Sequence, residues 1–247
     1  MRVNSEPLIL AIECCTRAGS VCLARGSKVL ACAIGDENSS HSTDLIDNVK
    51  RILNQTDAKL SEVDLFAVTV GPGSFTGLRI GLATVKGFAV STRKPCVGVS
   101  TLAAIALGAG ASAKTVSILP AGRGEVYAQM FSVAEGRVEA LDTESHIAPS
   151  QLLERYGSGS ITFAGEGVAR AVQTLRESAE GKRSDSSGRD GTDWTIATKS
   201  EPLAHAVAAL ALVDYRRGLI IDADELRANY VRPSDAEINE LWRHRGL

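Results

Sequence analysis

The chain has 247 residues, 27 basic and 29 acidic, for a formal charge of −2 at neutral pH. With 44% hydrophobic and 23% charged residues it has the balance of a soluble globular protein, long enough for one large domain or two small ones. The near-neutral balance argues against an extended nucleic-acid-binding face, and no apolar run reaches the ~18 residues of a membrane span.

Leu8-Ile9-Leu10-Ala11-Ile12 is too short for a helix and suits a buried strand. Glu6 and Pro7 come before any signal-peptide core can form, so the expected location is the cytoplasm. Five cysteines (Cys14, Cys15, Cys22, Cys32, Cys96) without a C-x-x-C pair agree, reading as reduced thiols, not as a disulfide framework or a zinc site. Ser20–Ala24 and Lys28–Ile34 follow as strands around the turn Arg25-Gly26-Ser27. Leu45, Ile46, Val49, Ile52 and Leu53 then mark one face of a helix, with Ser40 or Ser42 as its N-cap. Leu65–Val70 is a strand, Phe75–Val90 a helix, Cys96–Val99 a strand, and Ser100 caps a helix built on Leu102, Ile105 and Ala106.

The second half repeats this order. Strands are expected at Thr115–Leu119, Glu125–Val133 and Arg137–Leu141, a short helix at Pro149–Tyr156 and a strand at Ile161–Ala164. A helix over Val168–Ala179, a strand at Trp194–Ala197 and a helix from Leu203 to Arg217 complete it, with Gly218 as the C′ residue. Each half reads β-β-β-α-β-α-β-α. The expected fold is therefore α/β, two ribonuclease-H-like lobes in the arrangement of the actin, Hsp70 and sugar-kinase ATPases (ASKHA). The expected division is a first lobe over 1–111, a second over 112–233 with a polar surface insertion at 181–193, and a tail at 234–247 carrying Ile238, Leu241 and Trp242 on a helix-like segment.

Gly71-Pro72-Gly73-Ser74-Phe75-Thr76-Gly77-Leu78-Arg79 is the densest motif. It is neither a Walker loop nor a dinucleotide fingerprint, and Ser74 does not sit in a nucleophile elbow. Two readings remain: a strand-to-helix turn whose N–H groups, with Gly71 and Gly73, cradle an anion, or a turn shaped for packing. At ~100° per residue, Leu78, Leu82, Val85 and Ala89 form the core stripe of the following helix. Gly77, Gly81, Thr84 and Phe88 form a second stripe a quarter-turn away. Two glycines on one stripe each cost about 1 kcal/mol of helix propensity, which points to a close neighbour there. That neighbour is either a partner subunit's helix or the Leu45–Leu53 helix of the same lobe. Glu13, after the first strand, stands where such ATPases carry an acid able to hold magnesium through water. His41, His146, His205 and His244 form no His-x3-His or His-Glu-x-x-His site, so no metal ligands and no catalytic residues are assigned.

His41-Ser42, the Gly71–Gly81 block, Gly98-Val99-Ser100-Thr101-Leu102, Arg123-Gly124-Glu125-Val126-Tyr127, Gly165-Glu166-Gly167 and Tyr230-Val231-Arg232 together resemble the TsaB (YeaZ) family. The resemblance runs over roughly residues 7–233. It implies a non-catalytic paralogue of the transferase TsaD, active in making tRNA threonylcarbamoyladenosine (t6A), where threonylcarbamoyl is moved onto the adenosine next to the anticodon. It implies a direct heterodimer with TsaD, recruitment of the ATPase TsaE, tRNA reached only through the complex, and a possible homodimer of the isolated chain. ATP and metal then belong to the partner subunits, since TsaD-like proteins bind metal at a His-x3-His motif that this chain lacks. The family interface maps onto Leu45 and Val49 of one helix and Phe75, Gly77, Gly81, Thr84 and Phe88 of the next. The competing expectation is a self-sufficient actin-like ATPase or metallopeptidase-like enzyme. Three positions depart from the family pattern: Glu13-Cys14-Cys15 stands for an Asp-Thr-Ser or Asp-Thr-Thr turn, Asp47 for a proline, and Pro120-Ala121-Gly122 for Asp-Ala-Arg.

Overall fold

The computed structural model describes residues 6–36, 41–157, 159–169, 171, 193–197 and 202–231. The first half forms β1 (Leu8–Glu13), β2 (Ser20–Arg25), β3 (Lys28–Ile34), α1 (His41–Gln55), β4 (Leu65–Gly71), α2 (Phe75–Thr92), β5 (Cys96–Ser100) and α3 (Thr101–Gly108). The second half forms β6 (Ser112–Gly122), β7 (Glu125–Ala134), β8 (Arg137–Ala140), β9 (Ser145–Ile147), α4 (Gln151–Tyr156), β10 (Ser160–Ala164), β11 (Asp193–Ile196) and α5 (Leu203–Arg216).

Two sheets result, ordered β3-β2-β1-β4-β5 and β8-β7-β6-β10-β11. In each, the leading strands pair antiparallel and the later two join parallel. The same plan is thus built twice, as the repeated element order predicts. Strand β1 is buried along its whole length; covered on both faces, it carries a continuous apolar run instead of an alternating one.

The helices between the sheets do not follow the halves of the chain. α3 lies against β6 and β7 of the second sheet, α5 lies across β1 and β2 of the first, and the two helices pack on each other. Leu102, Ile105, Leu203, Val207 and Ala211 meet in one buried cluster. The expected lobes 1–111 and 112–233 thus each lend a helix to the other's sheet. Beyond α5 the chain returns to the first sheet. Ile221 pairs with Cys96 through two backbone hydrogen bonds, of 2.8 and 3.0 Å, Leu226 is buried, and Asn229 N–H donates to the Val70 carbonyl at 2.7 Å.

The expected third strand of the second half forms as β8, and a further short strand, β9, follows it. β8 pairs with residues 131–134 of β7, and β9 pairs with 126–128. Between them the Asp142 carboxylate accepts the Met130 N–H at 2.8 Å and hydrogen bonds from Arg155 and Tyr156. Ser42 lies inside α1 and is not its cap; Ser40, most of the 181–193 segment and the tail segment 235–245 lie outside the described residues. The helix expected over Val168–Ala179 is described only at 168, 169 and 171.

Ser100 caps α3 as the sequence predicts, its hydroxyl accepting from Ala103 N–H at 3.3 Å. Ser100→Ala leaves that N–H without its partner and should lower stability by about 1 kcal/mol, read as a shift in urea midpoint at constant slope.

Candidate functional site

The turn after β1 is closed on itself. Glu13 is 1% exposed, and one of its carboxylate oxygens accepts the N–H groups of Cys15 and Thr16 at 2.6 and 2.7 Å. The other accepts the Thr16 hydroxyl at 2.6 Å. Ser74 N–H donates to the Cys15 carbonyl at 2.9 Å. A Cβ on Gly73 would stand 2.6 Å from the Cys15 Cβ and carbonyl oxygen, and one on Gly71 would stand 2.6 Å from the Asn229 carbonyl. Glu13, Gly71 and Gly73 are therefore brought together, but against the protein's own backbone. Both glycines serve close packing, and both Glu13 oxygens are engaged with the turn.

The side of the turn that faces the second lobe is also filled. The Glu166 carboxylate, just after β10, accepts the Arg17 N–H at 3.1 and 3.2 Å, placing an anion of the second half on the turn after β1. Nearby, Ala204 N–H donates to the Ser20 hydroxyl at 3.0 Å. A cavity of about 660 Å³ runs between α3 and α5. Its lining is mainly aliphatic, includes Ile105, Leu107, Val168 and Leu203, and contains no lysine or arginine among the described residues. Nor do three His, Cys, Asp or Glu side chains gather into a metal-holding group among those residues.

Burial pushes the Glu13 carboxyl above its ordinary value near 4.5, outweighing the hydrogen bonds from Thr16 and Cys15 that pull it down. The folded chain then keeps a proton that the unfolded chain has released. Stability is present in full below about 4.5 and falls as pH rises toward the raised folded value. Glu13→Gln retains an acceptor for both N–H groups and has no charge to desolvate. It should flatten this slope in thermal melts taken across the acidic range.

The expected partner stripe lies mostly inside the lobe. Leu45 and Val49 are buried in the same core cluster as Leu10 and Phe66. Gly77 and Gly81 are buried, and a Cβ on Gly81 would touch Cys14 of the first turn and Val68 of β4 at 3.4 Å. At Gly81 the close neighbour is thus this chain's own first turn and β4, while α1 also packs against α2. Phe75 is half-buried, under the Arg79 guanidinium at 3.8 Å and beside the Tyr230 ring at 5.4 Å. Phe88 packs on Phe66 with ring centres 5.9 Å apart, and Thr84 is half-buried.

The open side of α2 is the adjacent stripe, Ala83, Gly87 and Val90, spaced for one helix face. Ala83 and Gly87 are exposed, Val90 is 69% exposed, and no atom lies within 4 Å of where a Gly87 Cβ would be. On α1, Ile46 is exposed as well. Gly87, a helix-interior glycine, is the one signal in the sequence that distinguishes this face, and the periodicity of the neighbouring glycines obscures it.

Two ribonuclease-H-like lobes meeting across the turns after β1 and β10 define the class of the actin, Hsp70 and sugar-kinase ATPases. Residues 36–189 match the family model TsaD, tRNA N6-adenosine threonylcarbamoyltransferase, and the chain belongs to that family. The TsaB (YeaZ) resemblance is borne out within it. The chain is 32% identical to the tRNA threonylcarbamoyladenosine biosynthesis protein TsaB of Escherichia coli K12, over 60% of this chain and 65% of that one. It is 30% identical to the TsaB of Bacillus subtilis 168, over 59% and 64%. Both matches span just under two thirds of the relative's length. Among solved structures, YeaZ from Pseudomonas aeruginosa superposes over 91% of this chain and 99% of its own, with a TM-score of 0.71 and 25% identity. No helix among the described residues is long and apolar enough to cross a membrane.

Proposed function

We propose that this chain is a non-catalytic subunit in t6A biosynthesis, docking on a TsaD-type transferase and activating threonylcarbamoyl transfer to the tRNA adenosine next to the anticodon. The observation that carries this reading is the open Ala83–Gly87–Val90 face of α2, where the absence of a Gly87 side chain lets a partner's backbone come close. The names of the TsaB relatives support it, as does the turn at Glu13, whose two carboxylate oxygens already accept hydrogen bonds from the chain itself. In this reading the chain works in the cytoplasm, a TsaE-type ATPase joins the pair, and ATP and metal are held by the partners. tRNA is reached only through the assembly, and the isolated chain self-associates through the same face.

Light scattering on a mixture of this chain with a purified TsaD-type transferase tests the reading. A one-to-one complex is expected, together with a chain that hydrolyses no ATP and cleaves no peptide by itself. Failure to form the complex, or steady turnover by the lone chain, would overturn it.

A further inference from the structure

Cys22 of β2 and Cys32 of β3 are directly opposite each other in the antiparallel register. Cross-strand partners project to the same face, and the core confirms it. Cys22 is a member of the cluster beneath α5, Cys32 packs against that cluster, and their neighbours Leu23 and Ala31 belong to the opposite face. Opposed residues carry their Cβ atoms about 4.5–5.5 Å apart, within about 1 Å of the separation a disulfide spans. β3 is the edge strand of its sheet, free on its outer side to close that difference. Cys32 is half-buried and the more accessible of the two, while Cys22 is fully buried behind it.

The remaining thiols are not placed to compete. Cys14 faces Gly81, whereas Cys15 faces the Thr69 carbonyl. Burial also pushes the Cys15 thiol up to about 12 and the Cys96 thiol up to about 11, which leaves little thiolate to react.

We propose that Cys22 and Cys32 are a redox-active dithiol, converted to a cross-strand disulfide by a low-molecular-weight disulfide such as oxidised glutathione. The Cys32 thiolate attacks one sulfur of the oxidant, forming a mixed disulfide and expelling one thiolate. The Cys22 thiolate then attacks the Cys32 sulfur and expels the second. The two protons released by the cysteines end on the two departing thiols, so the chain loses two electrons and the oxidant gains them. The bond ties the β2–β3 hairpin together beneath α5.

The test is to treat the folded full-length chain with oxidised glutathione and follow intact mass, thiol count and peptide map. The intact mass should fall by two hydrogens, and thiols titrated in denaturant should drop from five to three. The bridge should map to residues 22 and 32, and dithiothreitol should reverse it. Cys22→Ala should stop at a glutathione adduct on Cys32, and Cys32→Ser should give neither adduct nor bridge. Five thiols remaining in the wild-type chain, or a bridge between any other pair, would overturn the assignment whether or not the variants fold.

Discussion

Gly87→Arg should abolish complex formation with a TsaD-type transferase while the isolated chain melts at the same temperature or slightly higher. The space around Gly87 is empty, so the arginine meets nothing within the lobe. Replacing a helix-interior glycine by a good helix former contributes up to about 1 kcal/mol. In a docked complex the same side chain sits between two backbones, where blocking a tightly packed centre removes on the order of 2–4 kcal/mol or more of binding. Titration calorimetry beside a thermal melt separates the two effects; full affinity in the variant would mean that the partner docks elsewhere. Gly81→Leu should behave in the opposite way. Its Cβ already reaches Cys14 and Val68 at 3.4 Å, so the added atoms overpack the lobe and destabilise the isolated chain by roughly 1–3 kcal/mol.

Gly165→Ala should be among the most damaging single-methyl changes in the molecule. Gly165 follows β10 at φ +103°, and a Cβ there would lie 2.3 Å from the Ile118 carbonyl oxygen and 3.2 Å from its carbon. Those atoms are backbone of the central strand β6 and cannot step aside. Left-handed strain and the clash together should lower stability by about 3 kcal/mol or more. Urea unfolding reads the loss, with Gly124→Ala as the control. Gly124 also has a positive φ, of +89°, but open space around it, so its alanine should cost only about 1–2 kcal/mol. Equal losses at the two positions would show that the contact with β6 contributes nothing.

The fold was readable where apolar period and punctuation agreed. Leu8–Ile12, Lys28–Ile34 and the Ser100-capped helix are strong local signals, and repetition of their order disclosed the twofold plan. β9 was not readable: Ser145-His146-Ile147 has no alternation of its own, and its pairing is imposed by the open edge of β7. The burial of the glycine stripe has a geometric reason. A helix laid on a sheet buries an arc of at least 100°, so the glycine stripe a quarter-turn from Leu78 and Leu82 still falls within the buried arc. Small residues there let α2 settle onto Cys14 and Val68. Glu13 and Gly71-Pro72-Gly73 lie on adjoining turns, after β1 and β4, joined by the Ser74 N–H to Cys15 carbonyl hydrogen bond. Whether those groups face outward or satisfy each other depends on distances that spacing does not encode.

The exchange of α3 and α5 between the two sheets makes the halves of this polypeptide mutually dependent. A chain cut between α3 and β6 yields fragments that each lack the helix covering one face of their own sheet and expose the one meant for the other. Neither piece is then a self-standing folding unit, and the intact molecule should melt in one cooperative transition, not lobe by lobe. Co-expressed as separate polypeptides, the two fragments should reassemble by trading those helices, so that one continuous chain is dispensable while the reciprocal embrace is not.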